Sequence, residues 1–147
     1  LRVDLRAGEH KSQHFLKVNP NGAVPAFQDG ALKVGESNTI LRYMVSRFNL
    51  SDHWYPVDIV ARAKVDEYLD WHHTHTRAGR TFWFHKYVGP SVFGAQPDAS
   101  RQAEGRTHLL TAMEFLNNTW LADSRFIAGE QISLADIVCF AEFAALQ

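Results

Sequence analysis

Cysteine is almost absent from this chain: Cys139 stands alone among 147 residues. A solitary cysteine excludes an internal disulfide framework and suits a reducing compartment, so a cytoplasmic setting is expected. Net charge is equally scarce, at −1, which leaves a nucleic-acid partner without electrostatic support. No apolar run reaches membrane-spanning length, and Glu142 interrupts the last one, so no membrane partner is expected. Repeats and low-complexity stretches are missing. Histidine is plentiful, but nothing reads H-E-x-x-H. His72 and His75 can share a helix face, yet no carboxylate sits in the required step; no metal is expected, and these imidazoles are read as solvent-facing or core groups.

What is present describes a globular protein: 46% hydrophobic and 21% charged residues, enough for one sizeable core or two small halves. The densest information lies between Asn19 and Phe48. Asn19-Pro20-Asn21-Gly22 is a turn signal, and Val24-Pro25 forces an extended or turn backbone. Gln28-Asp29-Gly30 between Ala26-Phe27 and Ala31-Leu32-Lys33-Val34 predicts a hairpin. Ser37 is the expected N-cap of a helix whose apolar positions are Ile40, Leu41, Met44, Val45 and Phe48. Val24 leaves a free backbone edge for a peptide-like ligand, and the helix mouth at Ser37 suits a carboxylate. A capped ββα unit without a ligand is the competing reading of the same residues.

Around that stretch, Leu1–Leu5 alternates and predicts a strand. His10-Lys11-Ser12 leads into a short helix ending before Pro20, and Asn49–Tyr55 reads as a linker. One long helix is expected from Asp58 to about Tyr87, then a loop over Val88–Ala99, then a helix capped by Asp98 or Ser100. Leu109, Met113, Leu116 and Trp120 form the buried stripe of that last helix. Trp71, Phe82, Trp83 and Phe84 suit either an apolar pocket or core packing. Ser133 and Asp136 read as a capping box, with Ile132 and Ile137 as its hydrophobic staple, and Cys139 as an inert core thiol. The chain opens on Leu and stops at Gln147 while an apolar helix pattern is still running, the marks of a fragment.

The pattern NPxGxVPxxxDGxLxxxESxxIxxY resembles the glutathione-binding half of glutathione S-transferases. Gly8–Ser12, Trp54-Tyr55-Pro56, Ala61–Leu69 and Ile132–Asp136 resemble the theta class in particular. The resemblance implies an α+β thioredoxin-like domain over 1–50, missing its first strand and helix. An incomplete all-α domain over 51–147 follows. It implies glutathione and a small hydrophobic electrophile as partners in conjugation and detoxification, with peroxidase or dehalogenase work as further options. A homodimer is implied, and no cofactor beyond glutathione as co-substrate. By resemblance the Val24–Pro25 bond is cis and Val24 bonds the cysteinyl backbone, Glu36 and Ser37 hold the γ-glutamyl end, and His10 and Lys11 reach the glycine carboxylate. Arg77, six residues after Trp71, faces the cleft. The catalytic serine is expected upstream of Leu1, which would leave this chain inactive. A non-catalytic interaction module is the alternative.

Overall fold

The structure is a computed structural model that describes residues 1–144. It divides into two compact units, Leu1–Leu50 and Ser51–Gln147, the last three residues of the second lying outside the described part. The apolar pattern running to Gln147 falls there.

In the first unit, α1 (Gln13–Leu16) is capped by Ser12, whose hydroxyl accepts from the Phe15 amide. The strands β1 (Ala26–Asp29) and β2 (Leu32–Gly35) pair antiparallel, with Ala26 opposite Gly35 and Asp29 opposite Leu32. The turn is therefore Gly30-Ala31, not Asp29-Gly30. Gly30 takes the positive φ of 58° that a two-residue hairpin turn asks of its first position. The helix α2 (Ser37–Arg47) is tied to the hairpin by its polar side. Tyr43 Oη donates to Asp29 at 2.8 Å and Arg47 Nε to the same carboxylate at 3.2 Å. Ile40 and Val45 are buried, whereas Phe48 ends the helix exposed.

The expected Leu1–Leu5 strand does not form. A strand exists by pairing, and no described residue pairs with it. The chain turns instead, because the Asp4 carboxylate accepts from the Arg6 and Ala7 amides at 2.8 and 3.1 Å.

In the second unit, α3 (Ile59–Trp71) starts at Asp58, whose side chain accepts from the Val60 and Ala61 amides. The expected single helix to Tyr87 is broken at His72–Thr76. The side chains there compete for the backbone carbonyls. His75 Nδ1 takes the Trp71 carbonyl at 2.8 Å, Thr76 Oγ1 reaches that of His72 at 3.4 Å, and the Arg77 amide closes a wide turn onto His72. The path resumes through a 3₁₀ turn at Arg77–Gly79, α4 (Arg80–Trp83), a π-turn at Phe84–Val88 and α5 (Gly89–Phe93). The loop expected over Val88–Ala99 is thus helical for half its length; Gly94, in left-handed conformation, ends it.

Asp98 caps α6 (Ala99–Phe115) by accepting from the Arg101 amide. The buried stripe matches expectation only in part: Gly105 and Ala112 of α6 and the expected Leu116, in the π-turn just after it, are buried, while Met113 is exposed. Glycines set this crossing. A Cβ on Gly105 would stand 2.3 Å from the Phe82 amide nitrogen, and one on Gly79 would stand 2.8 Å from Leu109 Cβ. The final helix α7 (Leu134–Ala144) packs on α3. Val65, Tyr68, Leu69 and His72 from one side, with Leu134, Ala135, Val138 and Glu142 from the other, are all buried.

The expected capping box at α7 forms in part, since the Ser133 hydroxyl accepts from the Ala135 amide rather than that of Asp136. The Ser133 amide and hydroxyl both donate to Asp136 Oδ2, at 2.8 and 3.0 Å, and the Ala135 amide donates to Ser133 Oγ. Asp136 Oδ1 also accepts from the Ile127 amide at 2.9 Å, anchoring the preceding loop. Ile137, the expected inner half of the staple, is exposed.

Candidate functional site

The first unit brings its sequence-predicted ligand residues to one end of the hairpin. Pairing of Ala26 with Gly35 sets Val24-Pro25 and Glu36-Ser37 beside each other, because each pair lies just outside the same rung of the ladder. The Val24–Pro25 bond is cis. Val24 is half exposed, and its backbone makes no hydrogen bond among the described residues. A free amide edge therefore exists where the sequence placed one.

Ser37 is the first helical residue, not the cap. The cap position belongs to Glu36, whose side chain makes no capping bond. Glu36 sits at φ 64°, ψ 115°, a backbone region that side-chain-bearing residues rarely occupy. Strain of this kind in a non-glycine residue is concentrated at ligand-holding positions. The hydrogen-bond ladder of α2 begins with the Ile40 amide on the Glu36 carbonyl. The Glu36 side chain thus makes no bond to the first amides of α2, at the positive end of the dipole.

Lys11 approaches the same region from the 3₁₀ turn Glu9–Lys11. Its Nζ donates to the Gly22 carbonyl at 2.8 Å and to that of Asn21 at 3.4 Å. The approach requires glycine: a Cβ on Gly22 would meet Lys11 Nζ at 2.9 Å and the His10 carbonyl at 3.1 Å. His10 is half-buried, and its Nδ1 is buried with no hydrogen-bond partner among the described residues.

The residue that joins these pieces was not singled out from sequence. Asn19 is buried; its Nδ2 donates to the Ala23 carbonyl at 2.7 Å, and its Oδ1 accepts from the Asn21 amide at 3.2 Å. The same Nδ2 lies where a Cβ on Gly35 would come within 3.0 Å. One side chain therefore fixes the loop before Val24 against the strand end before Glu36. The only sequence signal was its place as first residue of the Asn-Pro-Asn-Gly turn.

Arg77 lies in the second unit. Its Nε is 3.1 Å from the buried carboxylate of Glu142, and Nη1 is 3.3 Å from His73 Nδ1. It lines a groove of about 440 Å³ with Arg80, Thr81, Trp83, Phe84 and Arg101 among its walls. Of the aromatic residues expected to line a pocket or fill a core, Trp83 and Phe84 do the former. Trp71 stacks on Phe115 at 5.3 Å and meets Trp120 edge-on at 4.9 Å, and Phe82 backs onto Gly105.

His72 and His75 do not converge. His72 is fully buried against Tyr68, and His75 lies flat on Trp71 at 4.2 Å. Burial, assisted by the neighbouring His73 and Arg77 charges, lowers the His72 pKa to about 4 and keeps the ring neutral. Partial burial also pushes the Cys139 thiol up, which makes it a poor thiolate.

Sequence profiles of the glutathione S-transferase N-terminal and C-terminal domains match residues 1–46 and 72–147. The chain belongs to the glutathione S-transferase family. Its relatives include theta-class members. Glutathione S-transferase theta-1 of Rattus norvegicus is 43% identical over 95% of this chain and 59% of its own length. Theta-2 of Homo sapiens is 39% identical over 95% and 57%. The apo form of human glutathione S-transferase T1-1 superposes with a TM-score of 0.89 at 38% identity, covering 98% of this chain and 61% of that one. A human theta-2 structure in complex with glutathione gives 0.89 at 37% identity over 97% and 58%. The chain thus spans less than two thirds of the length of these relatives. The fold is the transferase one, with a thioredoxin-like first unit and a helical second unit.

Proposed function

We propose that the first unit binds glutathione and that the protein conjugates the tripeptide's sulfur to small electrophiles. One observation carries this reading: the free backbone edge at Val24 and the strained, uncapped helix mouth at Glu36-Ser37 stand side by side at the end of one hairpin. An extended peptide needs an amide edge, and an α-carboxylate needs a helix N-terminus. Glutathione offers both within a single short molecule.

In this reading Val24 pairs with the cysteinyl backbone, with cis Pro25 shaping the edge. Glu36 and Ser37 hold the γ-glutamyl end, Glu36 toward the ammonium and the Ser37 turn toward the carboxylate. His10 and Lys11 attract the glycine carboxylate. The thiolate is the nucleophile, and orientation against the electrophile supplies much of the rate. The groove at Arg77 offers apolar walls for an aromatic electrophile and guanidinium groups for a departing anion. Peroxide reduction and dehalogenation would draw on the same sulfur. Detoxification, a cytoplasmic setting and a homodimer belong to this proposal too.

Retention on immobilised glutathione tests the site. The protein is expected to be retained and eluted by free glutathione, and the double substitution Glu36→Ala with Ser37→Ala to pass through. Unchanged retention of that variant defeats the assignment.

A further inference from the structure

We propose that Glu142 is a positioning residue for Arg77, presenting one end of its guanidinium to the groove. The proposal rests on the reading of Arg77 given above and deepens it. Glu142 lies on α7, one turn after Val138, and is buried although it carries a charged group. Buried carboxylates persist where cations answer them. Here the answer comes from the segment after the helix break: Arg77 Nε lies 3.1 Å from Oε1 and Arg80 Nη1 lies 3.8 Å from Oε2.

The division of Arg77's donors gives the arrangement its meaning. Nε is ion-paired with Glu142 and Nη1 is hydrogen-bonded to His73 at 3.3 Å, while Nη2 has no hydrogen-bond partner among the described residues. An ion pair at one nitrogen and a hydrogen bond at a second restrict a rigid planar group, which favours one direction for the third. The guanidinium lines the groove that also contains Trp83 and Phe84. A guanidinium aimed in advance can meet developing negative charge without reorganising, which is where such groups accelerate a reaction.

The break at His72–Thr76 is part of the same device. Continuing α3 as a regular helix would give the Arg77 amide the His73 carbonyl; it takes that of His72 instead. The extra residue rotates Arg77 relative to a straight helix. The buried imidazole of His72, with Nδ1 3.7 Å from Glu142 Oε1, walls off the carboxylate on its inner side.

The test combines a spectroscopic and a kinetic readout on the active protein. In nitrogen-15 spectra Arg77 Nε–H is expected as a resolved, slowly exchanging signal, lost in Glu142→Gln and partly restored in Glu142→Asp. With glutathione and 4-nitrobenzyl chloride, Glu142→Gln is expected to lower kcat about tenfold while leaving the KM for glutathione within about twofold. Arg77→Ala should do the same, and the double variant no more. A persistent Nε–H signal in Glu142→Gln overturns the tie itself, as does an additive double variant. If the signal is lost but Arg77→Ala keeps full kcat, the reading of Arg77 as a cleft residue is what fails. Should Glu142→Gln not fold, Glu142→Asp and the signal in the parent protein carry the same decision.

Discussion

The two units hold their shape by different means. Among the described residues, Leu1–Leu50 buries little apolar surface: Ile40 and Val45 are its buried hydrophobic side chains. Its geometry comes from turns and from side chains that bond backbone, namely Asn19 to Ala23 and Asn21, Lys11 to Gly22, and Asp4 to Arg6 and Ala7. The second unit is a packed interior in which Tyr68, Leu69 and Val65 are sealed off and glycines let helices touch. A recognition edge needs exposed backbone, which a shallow core leaves available. A wall for an apolar substrate needs rigid helices, which a deep core supplies. The contrast follows from the work proposed for each.

The largest expected effect falls on the packed side. Gly105→Ala places a Cβ 2.3 Å from the Phe82 amide nitrogen, so the helices must separate. A loss of about 2–3 kcal/mol is expected in urea denaturation, despite alanine's better helix propensity. A neutral substitution would show that the crossing is looser than drawn.

The turn-built side should respond differently. Asn19→Ala removes two hydrogen bonds and strands the Ala23 carbonyl, a cost of about 1–3 kcal/mol. Glutathione affinity should fall with it, because the loop before Val24 loses its tie to the strand end before Glu36. Calorimetric titration checks this; full affinity in a folded Asn19→Ala protein would mean that the loop is positioned by something else.

The smallest effect is a pH dependence that belongs to the packed side alone. His72 is held neutral in the fold, with its pKa lowered from 6.5 to about 4. Between those values the unfolded chain binds a proton that the folded one refuses. Stability from this group is complete above about pH 6.5 and drains away as pH falls toward 4. Thermal melts of the parent and of His72→Phe, compared at pH 7.5 and 5, should show a smaller acid loss in the variant. An equal loss in both would assign the acid sensitivity elsewhere.

The same contrast governs what could be read from sequence. Turn chemistry is local, so the hairpin, a cap at Asp98 or Ser100 and the Ser133–Asp136 pair were visible in a few residues, while the cis Val24–Pro25 bond was expected from family resemblance. The failures are non-local. The helix break depends on which carbonyls His75 and Thr76 capture. Burial of Gly105 in place of Met113 depends on where Phe82 arrives from. The Leu1–Leu5 alternation was correct as a pattern but needs a pairing partner to become a strand. Ser37 was misplaced by one position because Glu36 adopts a conformation that no propensity favours. Asn19 was read as a turn residue, since nothing local reveals that its amide also abuts Gly35.

The most direct test is a crystal structure of the protein soaked in millimolar glutathione. The tripeptide should lie extended along Val24, bonded to its backbone, with the γ-glutamyl carboxylate at the first turn of α2 beside Ser37 and the Glu36 carboxylate near the ammonium. Density for glutathione elsewhere, or a well-ordered Val24 edge and helix mouth with no ligand on them, would contradict the account.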